Sequence, residues 1–438
     1  MKKIAVVMLL VVLFMSSVFA TGTNEVKAKG PTTIVMWHSM QDKMGDTLQS
    51  MVNKFNAEHT DIQIDSQFQG VYNDALTKYK STAKKDLPDL FMCEAETSGY
   101  MVNSKTAYPI QNFIDRDKFD VSVLEPDLIN YYTVNGKMMN LGFGRTIVGF
   151  IYNADLLRKA GYNDPDAQIR SWDDIIKVAE AVASKTKAQI GAAFGPNGWV
   201  VEFYATTMGK DLVNNGNGRT GTATASAFDK NNLGIDWFTL MRKWQNSPGV
   251  SVTLTGNDYF TEFGAGNLGL YQTTSSNISK AYALAGGKFE VGFLALPYGE
   301  GHGLSVGGNS TWVIDSGVES RLNAAWEWIK FCMEDDQVFT WSTGTGYAAI
   351  TTKVCESQRY KDFYAQVCPT FFKAIERLRN SPASSVGAFM PIFAKHRTLM
   401  LNQIQKFWNN TSMTPAQATA EFVKNVNVEF DLYYQANT

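Results

Sequence analysis

The run Thr32-Thr33-Ile34-Val35-Met36-Trp37 (TTIVMW, 32–37) is short, apolar and β-branched, and reads as a buried strand. After His38-Ser39-Met40, the residues Met44, Leu48, Met51, Val52 and Phe55 recur at helical spacing on one face. DIQIDSQFQ (61–69) is a second strand, and Tyr72 opens a second helix with Leu76, Tyr79 and Ala83 on its face. Pro88 precedes a third strand, DLFMC (89–93). Strand–helix–strand–helix–strand is the order of a doubly wound α/β lobe. A second such series starts near residue 147. IVGFIYN (147–153) is a strand, Asn153 caps the helix ADLLRKAG, and Gly161 stops it. Ser171-Trp172-Asp173-Asp174 has the form of a capping box. FEVGFLALP (289–297) and STWVID (310–315) are later strands, and ESRLNAAWEWIKFCM (319–333) is an amphipathic helix; helices dominate from residue 360 onward. With 438 residues the chain exceeds what one core usually supports, so two α/β lobes are expected.

The first residues bear on location. Lys2 and Lys3 precede an apolar run from Ile4 to Phe14, and small residues around Ala20 follow. This is the pattern of a secretory signal peptide over residues 1–20, too short to span a bilayer. TGTNEVKAKG (21–30) reads as a flexible lead-in. The nearest cysteine is Cys93, which argues against a lipid-modified N-terminus. The 40 Lys and Arg against 42 Asp and Glu include no basic run, which disfavours nucleic acid and anionic membrane surfaces as partners. An oxidising compartment permits disulfides among Cys93, Cys332, Cys355 and Cys368, with three full pairings possible. Cys93 and Cys332 lie in apolar runs and fit better as buried small hydrophobes.

Two patterns invite an enzymatic reading. Gly303-Leu304-Ser305-Val306-Gly307 matches G-x-S-x-G, the nucleophile elbow of a secreted hydrolase. That motif needs a strand before the serine and a helix directly after it, whereas here a glycine-rich loop precedes and a strand follows. The four histidines are His38, His59, His302 and His396, and His302 is too close to Ser305 to be the usual distant partner. Gly216-Asn217-Gly218-Arg219-Thr220-Gly221 matches G-x-G-x-x-G, but no apolar strand leads into it, and it reads as a surface loop. No histidine pair has metal-binding spacing. The features that suit binding are different. Glu94 and Glu96 follow a strand, at the end where α/β lobes hold ligands. Trp199 and Tyr347 present rings beside glycines, and Arg397 lies in a helical stretch. A guanidinium can grip a phosphate or carboxylate with two parallel bonds.

Eight stretches, in order, carry a family likeness: WHSM (37–40), FNAEH (55–59), GVYNDAL (70–76), IYNADLLRKAG (151–161), SWDD (171–174), GPNGW (195–199), GGNSTWV (307–313) and TGYAAIT (345–351). Through them the chain resembles the periplasmic solute-binding proteins of ABC importers, in the maltose-binding-like class, and within it the branch that binds glycerol 3-phosphate. The resemblance implies two lobes, residues 31–146 with 306–352 and residues 147–305 with 353–438, joined by crossovers near 146, 305 and 352. It also implies a soluble periplasmic monomer without cofactor or metal, which delivers its ligand to the membrane subunits of a permease. By the family's motifs, the ligand-binding positions fall on Tyr72, Glu94 (with Glu96 as the alternative), Thr146, Thr274 or Ser275, Gly308, Tyr347 and Arg397, with Trp199 as an aromatic platform. Arg397 and the hydroxyls are expected to hold a phosphate, and Glu94 to accept from ligand hydroxyls. The family has a serine-rich run where this chain has Gly144-Arg145-Thr146. Arg145 is therefore expected either to strengthen phosphate binding or to pair with Glu94 or Glu96. Glycerol 3-phosphate, a glycerophosphodiester and a neutral sugar all remain open as ligands.

Overall fold

The computed structural model describes residues 30–437. The expected signal peptide, 1–20, and nearly all of the expected lead-in, 21–30, lie outside the described residues. Twelve strands are present among them: β1 (Thr32–His38), β2 (Ile62–Phe68), β3 (Leu90–Glu94), β4 (Thr133–Val134), β5 (Lys137–Met138), β6 (Leu141–Gly142), β7 (Val148–Asn153), β8 (Ile190–Ala193), β9 (Val250–Ser251), β10 (Leu268–Thr274), β11 (Val291–Ala295) and β12 (Asn309–Val313). They build two five-stranded sheets, ordered β2-β1-β3-β12-β6 and β11-β7-β10-β8-β9, plus the β4–β5 hairpin. Both sheets are mixed. In the first, β12 runs antiparallel between β3 and β6; in the second, β10 runs antiparallel to β7 and parallel to β8.

The first sheet is buried on both faces because its strands alternate two sets of apolar side chains. Ile34, Met36, Leu90 and Met92 join one cluster, with Leu48, Met51, Val52 and Phe55 of the helix Asp42–Glu58. Phe55 meets Trp328 and Phe331 edge-on, at ring distances of 5.4 and 5.2 Å, which brings in the helix Glu319–Cys332. Trp37, Phe91 and Cys93 face the other way, onto Leu76 and Tyr79 of the helix Tyr72–Ser81. In the second lobe Asn153 Oδ1 accepts from the Asp155 and Leu156 amides, and Gly161 ends that helix in the left-handed region. Ser171 and Asp174 cap each other's backbone reciprocally. All four cysteines are buried and unbridged. Among the described residues no helix is long and apolar enough to cross a membrane.

The chain passes between the sheets twice, at β6–β7 and at β11–β12; a third segment, around 346–351, runs from helices packed by the first sheet to a helix packed on β11, and the three passages lie side by side. Gly144 and Asn309 exchange backbone bonds at 3.0 and 3.2 Å, and Thr146 and Gly307 at 3.0 and 3.1 Å. On the other side the Ala348 amide donates to Arg145 O at 2.6 Å. Gly308 sits inside this ladder with φ +116°, and a Cβ there would lie 2.0 Å from Gly144 O. Both the dihedral and the contact require glycine. Gly308→Ala should therefore destabilise the protein by about 2 kcal/mol or more in urea unfolding. A change below about 0.5 kcal/mol would mean that the ladder is not tight at this point.

Candidate functional site

Each expected site residue except Arg397 lies at an element end, in the turn beside one, or at a crossover. Glu94 ends β3 and Glu96 is in the short turn after it; Thr274 ends β10 and Ser275 starts the next turn. Tyr72 opens its helix, Trp199 directly precedes the helix Val200–Thr207, and Arg397 is in the helix Phe393–Asn409. Short turns leave strand ends open toward the junction of the lobes, the usual place for ligands in such folds.

Arg397 is the centre of the arrangement. Its Nη1 donates to Glu94 at 2.9 Å; its Nε and Nη2 grip Glu202 at 2.9 and 2.8 Å; Glu96 lies 3.3 Å from Nη2. The guanidinium also rests 4.0 Å from the Phe393 ring centre. Sequence reasoning did not find Glu202. Its signal was a lone acid in the otherwise apolar start of a helix, VVEFYA, one turn beyond Trp199. One guanidinium thus faces three carboxyl groups with little water around them. Burial pushes Glu96 up to about 7 and Glu202 up to about 8, outweighing the pull of Arg397. The GPNGW loop reaches the cluster because Gly198 packs on the helix backbone; a Cβ there would be 2.0 Å from Arg397 O. Trp199 stands edge-on to Phe203, with ring centres 6.1 Å apart.

The hydroxyls divide into satisfied and unsatisfied groups. Thr146 and Ser275 bond each other at 2.9 Å, and Ser275 Oγ also accepts from the Ile147 amide. Thr274 bonds Ser276 at 2.7 Å. The Tyr72 hydroxyl faces Tyr347 and the Asn309 side chain, and it and Asn309 Oδ1 are buried with no partner in full hydrogen-bond geometry. Burial pushes Tyr72 well above the usual phenol range, with Tyr347 and Glu94 nearby adding to the effect, and pushes Tyr347 up to about 12. Unpaired buried polar atoms are costly and suit a ligand that completes them. Asn309 is thus a second residue that sequence reasoning missed.

One expectation is corrected, and the reading of Ser305 is filled in. Arg145 does not face Glu94 or Glu96. It is fully buried beneath the crossovers, where it pairs with Asp127 at 2.7 Å and Glu125 at 3.0 Å and donates to Ala349 O. Ser305 has no helix after it. Its hydroxyl donates to Val306 O and accepts from the Gly387 amide at 3.0 Å, which ties a crossover to the segment before Arg397.

A small void adjoins the cluster, lined by Glu96, Glu202, Tyr131, Phe203, Ser305 and Gly387 among others, with room for about one water molecule. The raised carboxyls give a signed prediction. A carboxyl whose folded value is raised stabilises the fold below its unfolded value near 4.5, and that stability is lost as pH climbs through 7 to 8. In urea unfolding, Glu202→Gln should gain stability relative to wild type between pH 5 and pH 8. A variant that loses ground over that range would show that Glu202 is stabilised in its charged form.

Residues 50–365 match the family model described as bacterial extracellular solute-binding protein. The chain is 27% identical over 414 residues to the sn-glycerol-3-phosphate-binding periplasmic protein UgpB of Pectobacterium atrosepticum, covering 91% of each. It is 24% identical to the Escherichia coli K12 protein of that name, covering 91% of this chain and 93% of the other. Among solved structures, the sugar-binding protein MalE from Xanthomonas citri superposes with a TM-score of 0.75 at 16% identity, covering 92% of this chain and 99% of that one. UgpB from Mycobacterium tuberculosis, in complex with glycerophosphocholine, gives 0.73 at 16% identity, covering 92% and 100%. The two-lobed architecture agrees with these structures, and the family match spans most of the chain: it belongs to the bacterial extracellular solute-binding proteins.

Proposed function

We propose that this protein is the solute-binding component of an ABC importer for a small polyhydroxylated phosphate ester, glycerol 3-phosphate or a glycerophosphodiester. It acts as a monomer outside the cytoplasmic membrane, without cofactor, and hands its ligand to the permease subunits. The lobes are residues 31–146 with 306–352 and 147–305 with 353–438, and they close on the ligand by bending at the crossovers. The observation that carries the reading is the convergence, at the junction of the lobes, of Arg397, three carboxyl groups and unpaired Tyr72 and Asn309 atoms. The carboxylates accept from ligand hydroxyls, and the Tyr72 hydroxyl completes its bonding on the ligand. Thr146, Thr274, Ser275, Gly308 and Tyr347 shape the walls, and Trp199 covers an apolar C–H face. The names of the curated relatives and the glycerophosphocholine complex support the ligand class.

A second reading, a neutral sugar or oligosaccharide, is favoured by one specific feature. Arg397 is already surrounded by carboxyl groups, which oppose a phosphate placed directly on it. Isothermal titration with glycerol 3-phosphate, glycerophosphocholine, maltose and inorganic phosphate separates the two. Binding of a phosphate ester is the expected result; tight binding of maltose alone would establish the neutral reading instead. Tyr72→Phe removes an unpaired hydroxyl, so the thermal midpoint should stay level or rise. Ligand affinity should fall by about fivefold, the size of one neutral hydrogen bond. Unchanged affinity would remove Tyr72 from the site.

A further inference from the structure

The stretch Gly216-Asn217-Gly218-Arg219 is more than a surface loop. Gly216, Asn217 and Gly218 all have positive φ, at 57°, 61° and 75°. Asn217 Oδ1 accepts from the Leu212 amide at 2.9 Å, and Asn217 O accepts from the Phe389 amide at 2.9 Å. A Cβ on Gly218 would lie 2.0 Å from Phe389 O, so the turn is packed against the segment 387–389. The outcome is a fixed position for Arg219. Its Nε donates to Gly387 O at 3.0 Å and its Nη1 to Tyr131 O at 2.9 Å. Its guanidinium lies 5.0 Å from the Tyr131 ring centre and 5.2 Å from that of Phe389.

Arg145, Arg379 and Arg397 are each matched to carboxylates. Arg219 is held only by neutral carbonyls and rings, and its Nη2 is buried with no partner. It lines a polar cleft of about 530 Å³, together with Lys210, Asn217, His302, Ser384 and Ser385. Lys210 is paired with Asp236, and Asp211, the acid in the lining, is exposed. The cleft adjoins the Arg397 cluster: Thr206 lines both it and the small void, and Tyr131 and Gly387, which hold Arg219, line that void with Glu96 and Glu202.

We propose that Arg219 and its cleft form the anion subsite of the binding site, taking the phosphoryl group of a ligand whose hydroxyls go to the carboxylates around Arg397. This assignment rests on the phosphate-ester reading above. It eases the charge conflict in that reading, because the phosphoryl group meets a cation that no carboxylate pairs, with the exposed Asp211 as the one acid in the cleft lining. The unpartnered Nη2 of the guanidinium, with nearby serine hydroxyls, suits a phosphate oxygen, and a partly dry setting strengthens the bond. The bond from Arg219 to Tyr131 O also crosses between the proposed lobes, so the anion would be held where they close.

The test titrates wild type, Arg219→Gln, Arg219→Lys and Ser385→Asp with glycerol 3-phosphate, maltose and inorganic phosphate. Ser385→Asp places a negative charge in the cleft while leaving every bond of Arg219 in place, so it serves even if Arg219→Gln folds poorly. The expected result is ester and inorganic phosphate binding weakened about thirtyfold in Arg219→Gln, the size of one charge-assisted bond. Arg219→Lys should recover part of it, and Ser385→Asp should weaken both ligands about tenfold or more. If wild type binds the ester and all three variants bind it equally well, the subsite is overturned while the proposed function stands. If wild type binds inorganic phosphate through Arg219 but no ester, the subsite stands and the ester reading falls. If wild type binds maltose and neither phosphate ligand, both fall.

Discussion

The buried charge of Arg145 is the constraint on which the rest of the structure depends. A guanidinium removed from water is tolerable only with its partners in place, because breaking one leaves an unpaired buried charge. Here the partners come from different parts of the chain. Glu125 and Asp127 are brought in from the first lobe and Ala349 O from the third crossover, while Arg379 of the second lobe shares Glu125. The same residue's backbone stands between the ladders formed by Gly307–Asn309 and Ala348. Satisfying one arginine therefore fixes where all three crossovers lie, and with them the strand ends beside Glu94 and Ser275 and the loop that carries Tyr347.

On top of that frame, Arg397 does for the lobes what Arg145 does for the crossovers. By the proposed lobe boundaries Glu94 and Glu96 fall in the first lobe and Glu202 and Arg397 in the second, so this ion-pair cluster spans their junction. The adjoining void has room for about one water molecule. On the proposed hinge, a solute of several heavy atoms fits there only after the lobes part, and the contact between Arg397 and Glu94 is one that parting must break. A buried cluster of one cation and three carboxyl groups is poorly balanced by itself, since desolvation costs each charged form. In the proposed function, ligand hydroxyls replace water as donors to those oxygens, so binding relieves that imbalance.

Local patterns were legible where the physics is local. The Asn153 cap, the Gly161 stop and the Ser171–Asp174 box each involve residues within a few positions, and the structure has them as read. The strands read as 32–37 and 147–153 agree to within a residue, because apolar period and turn signals are written in adjacent letters. Arg145 was misread for the opposite reason. Its partners are about twenty residues upstream and its depth depends on three crossovers, none of which has a local signature. Glu202 was passed over as one acid in an apolar helix, and Arg219 as part of a loop, because a residue's partners at separations of 88 to 195 positions are not visible in its neighbours.

The sequence by itself determined the α/β class, the two series of strands and helices, and the family, since each is carried by short-range periodicity or contiguous motifs. It also nominated Arg397 and Glu94 as site residues, and the structure brings them within 2.9 Å of each other. Only the tertiary structure decided what those charges do. It surrounded Arg397 with three carboxyl groups, buried Arg145 on Glu125 and Asp127, and left Arg219 on neutral carbonyls beside a polar cleft. The reason is physical: the character of a charged side chain is set by its desolvation and its partners, and both are supplied by segments that meet only when the chain has folded.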